Sequence, residues 1–471
     1  MRKLSFFYVV LCVVVFLVSL ASVPVSLAQT SKGTVTGTVT DPSGAVIPNA
    51  AVTLTQKETN AKRDTTTNGA GIYRFEAVNL GTYTLNVKAP GFSDAEVAGI
   101  VVSNQPANFD VQLKLGTGSQ TVSVEAGAEV LQTTDAVHGG TFESRDVTQL
   151  PLQGQDSINL MLLLPGVQNA STTQFSDGSN NYSVNGQRAR ANNFMIDGVE
   201  NNDISIAGAA FQITNNDAIQ EVSIQTSNFS AEYGRAGGAV VNQITRSGTN
   251  SFHGTAAEVY KSNVFNATSN SDRLASATSP AKFNENIPAF TVGGPVYIPH
   301  LYDGRNKTFF FGAAQWDRFF STATRVVTAP IAGATGIGVL QTLAPNCPNV
   351  ALYLQALGSF VGSGITPQTI SIAAPGGPTC DGTLRTGKGV DFSNATRVAS
   401  QSNLDANHLV RIDQIVSSKQ TMSFRWLYDS NTSGPFFNNL PGFDRGFNGK
   451  TMTGLFTDTY VFGPRWTNEF R

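Results

Sequence analysis

The N-terminus decides how the rest of this chain can be housed. Arg2 and Lys3 precede an apolar run from Leu4 to Leu20 broken only by Ser5 and Ser19, and Ser26-Leu27-Ala28 supplies the small-x-small pattern of a signal-peptidase site. The pattern predicts an export signal over residues 1–28 and a mature chain beginning at Gln29, with an uncleaved inner-membrane anchor as the alternative. Cys12 lies inside the apolar run with no small residues before it, which argues against a lipid-modified terminus. No later stretch approaches the roughly 20 apolar residues of a membrane helix, so an exported chain of this kind has no helical way to stay in a membrane. Composition points the same way. The 45 Gly and 30 Phe against 4 His lean toward β structure and away from acid–base or zinc chemistry. Lys+Arg 31 against Asp+Glu 33 leaves a net charge of −2 with no basic excess, which excludes nucleic acid and an anionic membrane surface as natural partners. Only 14% of residues are charged, too few for a coiled coil or a charged disordered tail.

From Gly33 to about Leu115 the chain alternates on a two-residue period. Val35, Gly37 and Val39 alternate with threonines, and Ala50, Val52, Leu54 and Tyr83, Leu85, Val87 repeat the pattern. Asp41-Pro42-Ser43-Gly44, Asn68-Gly69-Ala70-Gly71 and Ala89-Pro90-Gly91 punctuate it as turns, which predicts a sandwich of about seven short strands. The run Gly33-Thr-Val-Thr-Gly-Thr-Val-Thr-Asp41, with Gly71-Ile-Tyr-Arg-Phe75 and Gly81-Thr-Tyr-Thr-Leu85, resembles a carboxypeptidase regulatory-like domain. The resemblance implies a prealbumin-like, carbohydrate-binding-like fold. It does not imply a peptidase, because no metal-ligand cluster follows. A rigid periplasmic spacer and a sugar-binding module are the two roles open to it.

Core pattern then lapses across Gly116 to Gly127, with Thr121-Val-Ser-Val-Glu-Ala126 inside the gap. Beyond it come Arg145-Asp-Val-Thr-Gln-Leu-Pro151 and the apolar Ser157-Ile-Asn-Leu-Met-Leu-Leu-Leu164, a buried helix or strand ended by Pro165-Gly166. Tyr182-Ser-Val-Asn-Gly-Gln-Arg188, Asn193-Phe-Met-Ile-Asp-Gly-Val199 and Ala218-Ile-Gln-Glu-Val-Ser-Ile224 follow, and then Ala231-Glu-Tyr-Gly-Arg-Ala-Gly-Gly-Ala-Val-Val-Asn-Gln-Ile-Thr-Arg-Ser-Gly248. In the last segment Gly234, Gly237 and Gly238 allow positive φ and close backbone approach, and Ala239 to Ile244 reads as a buried strand. Together these segments resemble the plug of a TonB-dependent outer-membrane receptor. Tyr233, Gly234, Gly237, Gly238 and Asn242 fall on the family's Y-G-x-x-x-G-G-x-x-N pattern, and Asp197-Gly198 on its D-G turn. Asn185-Gly186 stands where Arg-Gly is usual and Ser223-Ile-Gln-Thr226 replaces the common strand, departures that mark a divergent branch. The layout is most similar to Oar-like receptors, which carry the same N-terminal sandwich. Thr121, Val122, Ser123 and Val124 resemble a TonB box, a mobile extended segment that pairs with a strand edge of TonB; the bland alternative makes them the last strand of the sandwich or the first of the plug.

Past Ser251 the pattern is that of a membrane strand wall, apolar-out and polar-in. Met422, Phe424, Trp426 and Tyr428 share one face; Ser423, Arg425 and Asp429 share the other, with Leu427 as the exception. Val410 and Ile412 alternate with Arg411 and Asp413, and Val416 to Gln420 is a tight turn. Phe309, Phe310, Phe311, Trp316, Phe319 and Phe320 have the density of an interfacial aromatic girdle. Asn263 to Asn286 and Ala329 to Gln401 read as long extracellular loops. Cys347 and Cys380 both lie in the second loop, and in an exported protein they suggest a disulfide, with two free thiols as the alternative. A soluble all-β domain is the other reading of the wall.

No catalytic or nucleotide motif is found, and the histidines are scattered at His138, His253, His300 and His408, so no catalytic site, metal site or cofactor is expected. The acidic turn of Asp197, Glu200 and Asp203 is expected to be a solvated plug loop rather than a Ca²⁺ site. The expected organisation is a signal peptide over 1–28, a sandwich over 29–116, a linker and α+β plug over 117–250, and the first part of a transmembrane antiparallel β-barrel over 251–471. By resemblance the barrel has about 22 strands. Some seven strand candidates follow Ser251, and the expectation is either a gene product continuing beyond Arg471 or a truncated gene. The function implied is active uptake of a small molecule or oligosaccharide across the outer membrane. TonB and its inner-membrane energy-transducing complex are the implied partners, with outer-membrane lipid around the barrel. A non-transporting adhesin or polysaccharide-binding protein is the rival, and an exported enzyme a weaker one.

Overall fold

The computed structural model describes residues 31–471 other than 117–121, 126–136, 153–154, 170–181, 204–207, 230–232, 234–235, 269, 271–272, 274–278, 333–336, 347, 358–367, 371–389, 437–444 and 464–465. The expected signal therefore lies outside the described residues, as do Cys347 and Cys380.

Strand β1 (Gly33–Thr40) buries Gly33, Val35, Gly37 and Val39, as its alternation requires. It is followed by β2 (Ala51–Gln56), β3 (Lys62–Thr66), β4 (Ile72–Val78), β5 (Gly81–Lys88), β6 (Ala95–Val102), β7 (Ala107–Asn108), β8 (Val111–Gln112) and β9 (Val122–Glu125). Two sheets result: β4-β1-β7, with β8 also on β1, and β3-β2-β5-β6-β9. Their facing sides enclose Val35, Leu54, Tyr73, Phe75, Leu85 and Ile100. Gly37 fits this layer because a Cβ there would lie 1.9 Å from the Phe109 carbonyl oxygen. The strands outnumber the seven expected, partly because β9 joins the sheet.

The middle domain contains β10 (His138–Glu143), helix α1 (Ser144–Gln149), β11 (Val167–Asn169), β12 (Tyr182–Val184), β13 (Asn193–Ile196), β14 (Val199–Glu200), β15 (Ile219–Ser227) and β16 (Val240–Thr245). Its main sheet runs β10-β15-β16-β13-β14. β16 is buried at every position, and its three polar residues, Asn242, Gln243 and Thr245, each make a side-chain hydrogen bond, to the Gly198 N–H, to Ser157 and to Asp197. The Ser157–Leu163 segment is a 3₁₀ helix capped by Asp156, whose Oδ1 accepts from the Ile158 N–H at 2.9 Å. Ile158, Leu160 and Met161 are buried, while Leu162 and Leu163 are exposed. Asn185 and Gly186, the departure from the family pattern, take φ of 51° and 76° in the turn after β12, a left-handed pair that Asn-Gly adopts readily.

The wall is built from β17 (His253–Ser262), β18 (Phe283–Pro295), the small hairpin β19 (Tyr297–Ile298) and β20 (Tyr302–Asp303), β21 (Thr308–Pro330), helices α2 (Ile337–Leu343) and α3 (Pro348–Leu357), β22 (Gln368–Ile370), β23 (Val390–Ser417), β24 (Gln420–Phe436), β25 (Arg445–Gly463) and β26 (Trp466–Phe470). The order is β17-β18-β21-β23-β24-β25-β26, with β22 on β23, in one antiparallel sheet whose outer strands among the described residues are β17 and β26. β21 runs to Pro330 and β23 starts at Val390, so both ends of the expected loop over 329–401 are strand. The start of β18 likewise takes the end of the loop expected over 263–286.

The two faces of the wall differ in chemistry. Across the outer face, neighbouring strands align Gly294, Phe310, Ile412, Phe424 and Phe456, and beside them Val292, Gly312, Val410, Trp426 and Gly454. Val292, Val410, Ile412, Phe424 and Phe456 in these rows are exposed. Across the inner face run Phe311, Arg411 and Arg425, then Ala313, Leu409 and Leu427. Phe309 and Phe311 thus point inward and are buried, contrary to the girdle expected of the whole Phe309–Phe320 stretch. Leu427 is no exception once the inner face is seen to meet the middle domain. With Phe311, Ala313 and Leu409 it joins the core of Phe194, Ile196, Phe211 and Val241. The sandwich sits at the short-turn end of the wall. Lys32 Nζ donates to Thr421 Oγ1 at 3.2 Å and Thr459 Oγ1 at 2.7 Å, and Asn60 Nδ2 donates to Asn306 Oδ1 at 3.0 Å.

Candidate functional site

Asp197 and Gly198 form the two-residue turn between β13 and β14, with φ of 50° and 73°. Asp-Gly favours this left-handed pair. The turn is fixed to β16: the Asp197 N–H donates to the Gln243 carbonyl at 2.9 Å and the Gly198 N–H to Asn242 Oδ1 at 3.0 Å. The Asp197 carboxylate accepts from the Thr245 N–H and Oγ1, both at 2.8 Å. Two barrel arginines then close on it, Arg425 Nη1 at 2.6 Å and Arg411 Nη1 at 3.6 Å. Arg411 also donates to the Thr245 carbonyl at 3.0 Å and pairs with Asp413 at 2.9 Å. Arg471 donates to the Gly198 carbonyl and pairs with Glu469. Burial alone raises the acid's pKa, but Arg425, Arg411 and the Thr245 bonds outweigh it and hold Asp197 below the usual carboxylate range.

This overturns the solvated loop expected for the acidic turn. Asp197 is 7% exposed, because a buried carboxylate is tolerated where paired guanidinium groups and hydrogen bonds surround it. Glu200 and Asp203 turn elsewhere: Glu200 Oε1 accepts from Asn202 Nδ2 at 3.3 Å, and the Asp203 N–H donates to the Gly208 carbonyl at 2.9 Å. Among the described residues no group of three His, Cys, Asp or Glu could hold a metal ion.

The remaining pattern residues serve the other end of β16. The Gly237 and Gly238 N–H groups both donate to the Ala191 carbonyl, at 2.8 and 3.0 Å. A Cβ at Gly238 would fall 2.4 Å from Asn192 Oδ1, the atom that accepts from the Ala239 N–H at 3.0 Å. Neither glycine has a positive φ, so close approach, not a left-handed backbone, is what requires Gly238. Tyr233 is buried beside Met195 and Val240. Gly234 and Thr121 lie outside the described residues. Val122, Ser123 and Val124 are in β9, hydrogen-bonded in parallel to the sandwich strand β6.

Sequence reasoning missed Arg411 and Arg425 as partners of Asp197. The available signal was two arginines on the inner parity of neighbouring strands, which need a buried anion opposite. It also missed Glu221, on β15, whose Oε1 accepts from the sandwich's Asn104 N–H at 3.1 Å. Burial pushes this carboxyl up to about 7, with the opposing Glu143 adding to the rise and the Asn104 bond resisting it.

A strand wall with an apolar outer face, closed from inside by ion pairs onto a buried α+β domain, defines an outer-membrane β-barrel holding a plug. The family comparisons are specific. Residues 34–114 match the carboxypeptidase regulatory-like domain, 141–241 the TonB-dependent receptor plug domain and 244–471 an outer membrane β-barrel domain. The chain belongs to the TonB-dependent receptors, with an N-terminal carboxypeptidase regulatory-like domain, and its place is the outer membrane. It is similar to the TonB-dependent transporter Oar of Myxococcus xanthus, 25% identical over 315 residues, covering 64% of this chain and 28% of that protein. The chain thus spans under a third of that relative's length. Among solved structures, the Escherichia coli outer membrane transporter YddB aligns with a TM-score of 0.43 at 14% identity, over 69% of this chain and 37% of that one. The Pseudomonas aeruginosa ferric enterobactin receptor aligns with a TM-score of 0.37 at 13% identity, over 69% and 39%.

Proposed function

We propose that this protein takes part in active uptake of a nutrient across the outer membrane, driven by the inner-membrane proton gradient through TonB and its energy-transducing complex. The observation that supports this most is the buried Asp197, held by Arg411 and Arg425 of the barrel wall. A plug fixed by buried ion pairs and by a core shared with the wall does not move aside on thermal energy alone. The outer membrane has no ATP, so the work must arrive mechanically. Thr121 to Val124 is the proposed TonB-contacting segment, outer-membrane lipid the proposed surround of the apolar outer face, and a small molecule or oligosaccharide the proposed cargo. The proposed division is a sandwich over 29–116, linker and plug over 117–250 and barrel wall from 251, and Cys347–Cys380 is a proposed disulfide, checked by a non-reducing peptide map. The matched families point to a receptor or transporter rather than an enzyme.

The test compares accumulation of labelled siderophores, saccharides, cobalamin and peptides in cells with and without TonB. Uptake of one of them that disappears without TonB is the expected result. Surface binding with no TonB-dependent accumulation of any would favour the adhesin reading instead.

A further inference from the structure

Strand β6 has β5 antiparallel on one side and β9 parallel on the other, from Ala95 opposite Val122 to Ala98 opposite Glu125. β9 is a late addition to this sheet. Between β6 and β9 the chain passes through β7 and β8, which belong to the opposite sheet, and the pairing is made only when it returns. The described register runs to Ala98 opposite Glu125, next to Gly99, whose φ of 77° falls at the irregularity in the β5–β6 ladder. In the order β3-β2-β5-β6-β9 the last strand is β9, and among the described residues its outer edge carries no further strand. A terminal strand of this kind presents a row of backbone N–H and C=O groups that a second extended chain can satisfy.

We infer that the sandwich is a presentation platform: it holds Val122–Glu125 already extended as its outermost strand, and TonB binds by adding its own strand to the outer edge of β9. The inference rests on the reading of Thr121 to Val124 as the TonB-contacting segment and gives the sandwich a task that neither a spacer nor a sugar-binding module has. A linker met as a flexible chain has to be ordered when TonB binds, and that ordering weakens association. A segment pre-extended on β6 has lost that freedom beforehand. Successive residues of a strand direct their backbone groups to opposite sides, so pairing with β6 leaves the outward groups available.

The test locks β9 onto β6 in the full chain. Glu96 and Ser123 are register partners, so the double variant Glu96→Cys/Ser123→Cys should form a bridge on mild oxidation, confirmed by the bridged peptide pair in a mass map. The soluble C-terminal domain of TonB is then titrated against the oxidised and reduced forms. The expected result is an oxidised form that binds within about threefold of the reduced form, or more tightly, because the locked strand is the presented one. Absence of the bridge would overturn the inference. So would an oxidised form that binds about tenfold or more weakly, since β6 would then compete with TonB. If the bridge forms but neither form nor the unmodified chain binds TonB, the coupling assignment itself falls and the platform with it.

Discussion

Asp197 is the residue on which plug and wall agree. Asp197→Asn keeps an acceptor for the Thr245 N–H but leaves Arg425 without its carboxylate, beside an Arg411 then held by Asp413 alone, and removing one member of a buried pair costs about 3–5 kcal/mol. The expected outcome is a plug released at lower urea, read as protease cleavage within residues 141–241, with the sandwich unaffected. Because the folded-state pKa of Asp197 is depressed, its contribution is present above the ordinary carboxylate value of 3.8 and lost as pH falls through the folded value. Gly238→Ala should weaken the plug by about 1–3 kcal/mol, since the new methyl must displace Asn192 Oδ1; a lowered urea midpoint checks it. The Asp-Gly turn and the glycine pair could be picked from the sequence because each answers to local backbone chemistry, and Asn242 by its fit to the plug family's pattern. Their partners could not. Arg411 and Arg425 follow Asp197 by more than two hundred residues, and nothing in a strand's own alternation says which buried group its inner face will meet.

At the scale of single elements, alternation carried most of the information. β1 and β2 bury the residues their period assigns, and the turn between β23 and β24 falls at Ser418 and Lys419 inside the expected Val416–Gln420 stretch. Where a strand packs on both sides the period fades, as in β16, and where an inner face meets a plug instead of water an apolar Leu427 takes a polar-parity position. From the sequence β9 has more than one reading, a coupling segment or the last strand of the sandwich, and four alternating residues do not name β6 as their partner. Val122→Pro tests the first: proline deletes the backbone donor and fixes φ, so crosslinks to TonB from Cys placed at 123 or 124 should be lost while the protease pattern of sandwich and plug stays unchanged.

Three domains meeting on one another make the whole molecule sensitive to what lies between them. Glu221 sits between plug and sandwich with its pKa raised from 4.5 to about 7. The folded state therefore holds this proton more tightly than the unfolded state. The cost of ionising Glu221 is absent below pH 4.5, grows to about 3 kcal/mol, and is fully present above pH 7. Glu221→Gln, which retains an acceptor for the Asn104 N–H, should flatten stability across that window and raise the thermal midpoint at pH 8 relative to the parent chain. A different consequence follows from the length of β21 and β23, which pair without interruption from Thr308–Gln414 to Pro330–Phe392. At about 3.3 Å per residue and a tilt near 40°, that ribbon rises roughly 55 Å along the barrel axis, against an apolar band about 25 Å tall. Some 30 Å of it must stand clear of the lipid. The protein thus carries a stiff ribbon beyond the bilayer at the end of the wall away from the sandwich, so whatever approaches from that side meets hydrogen-bonded backbone well before it meets lipid.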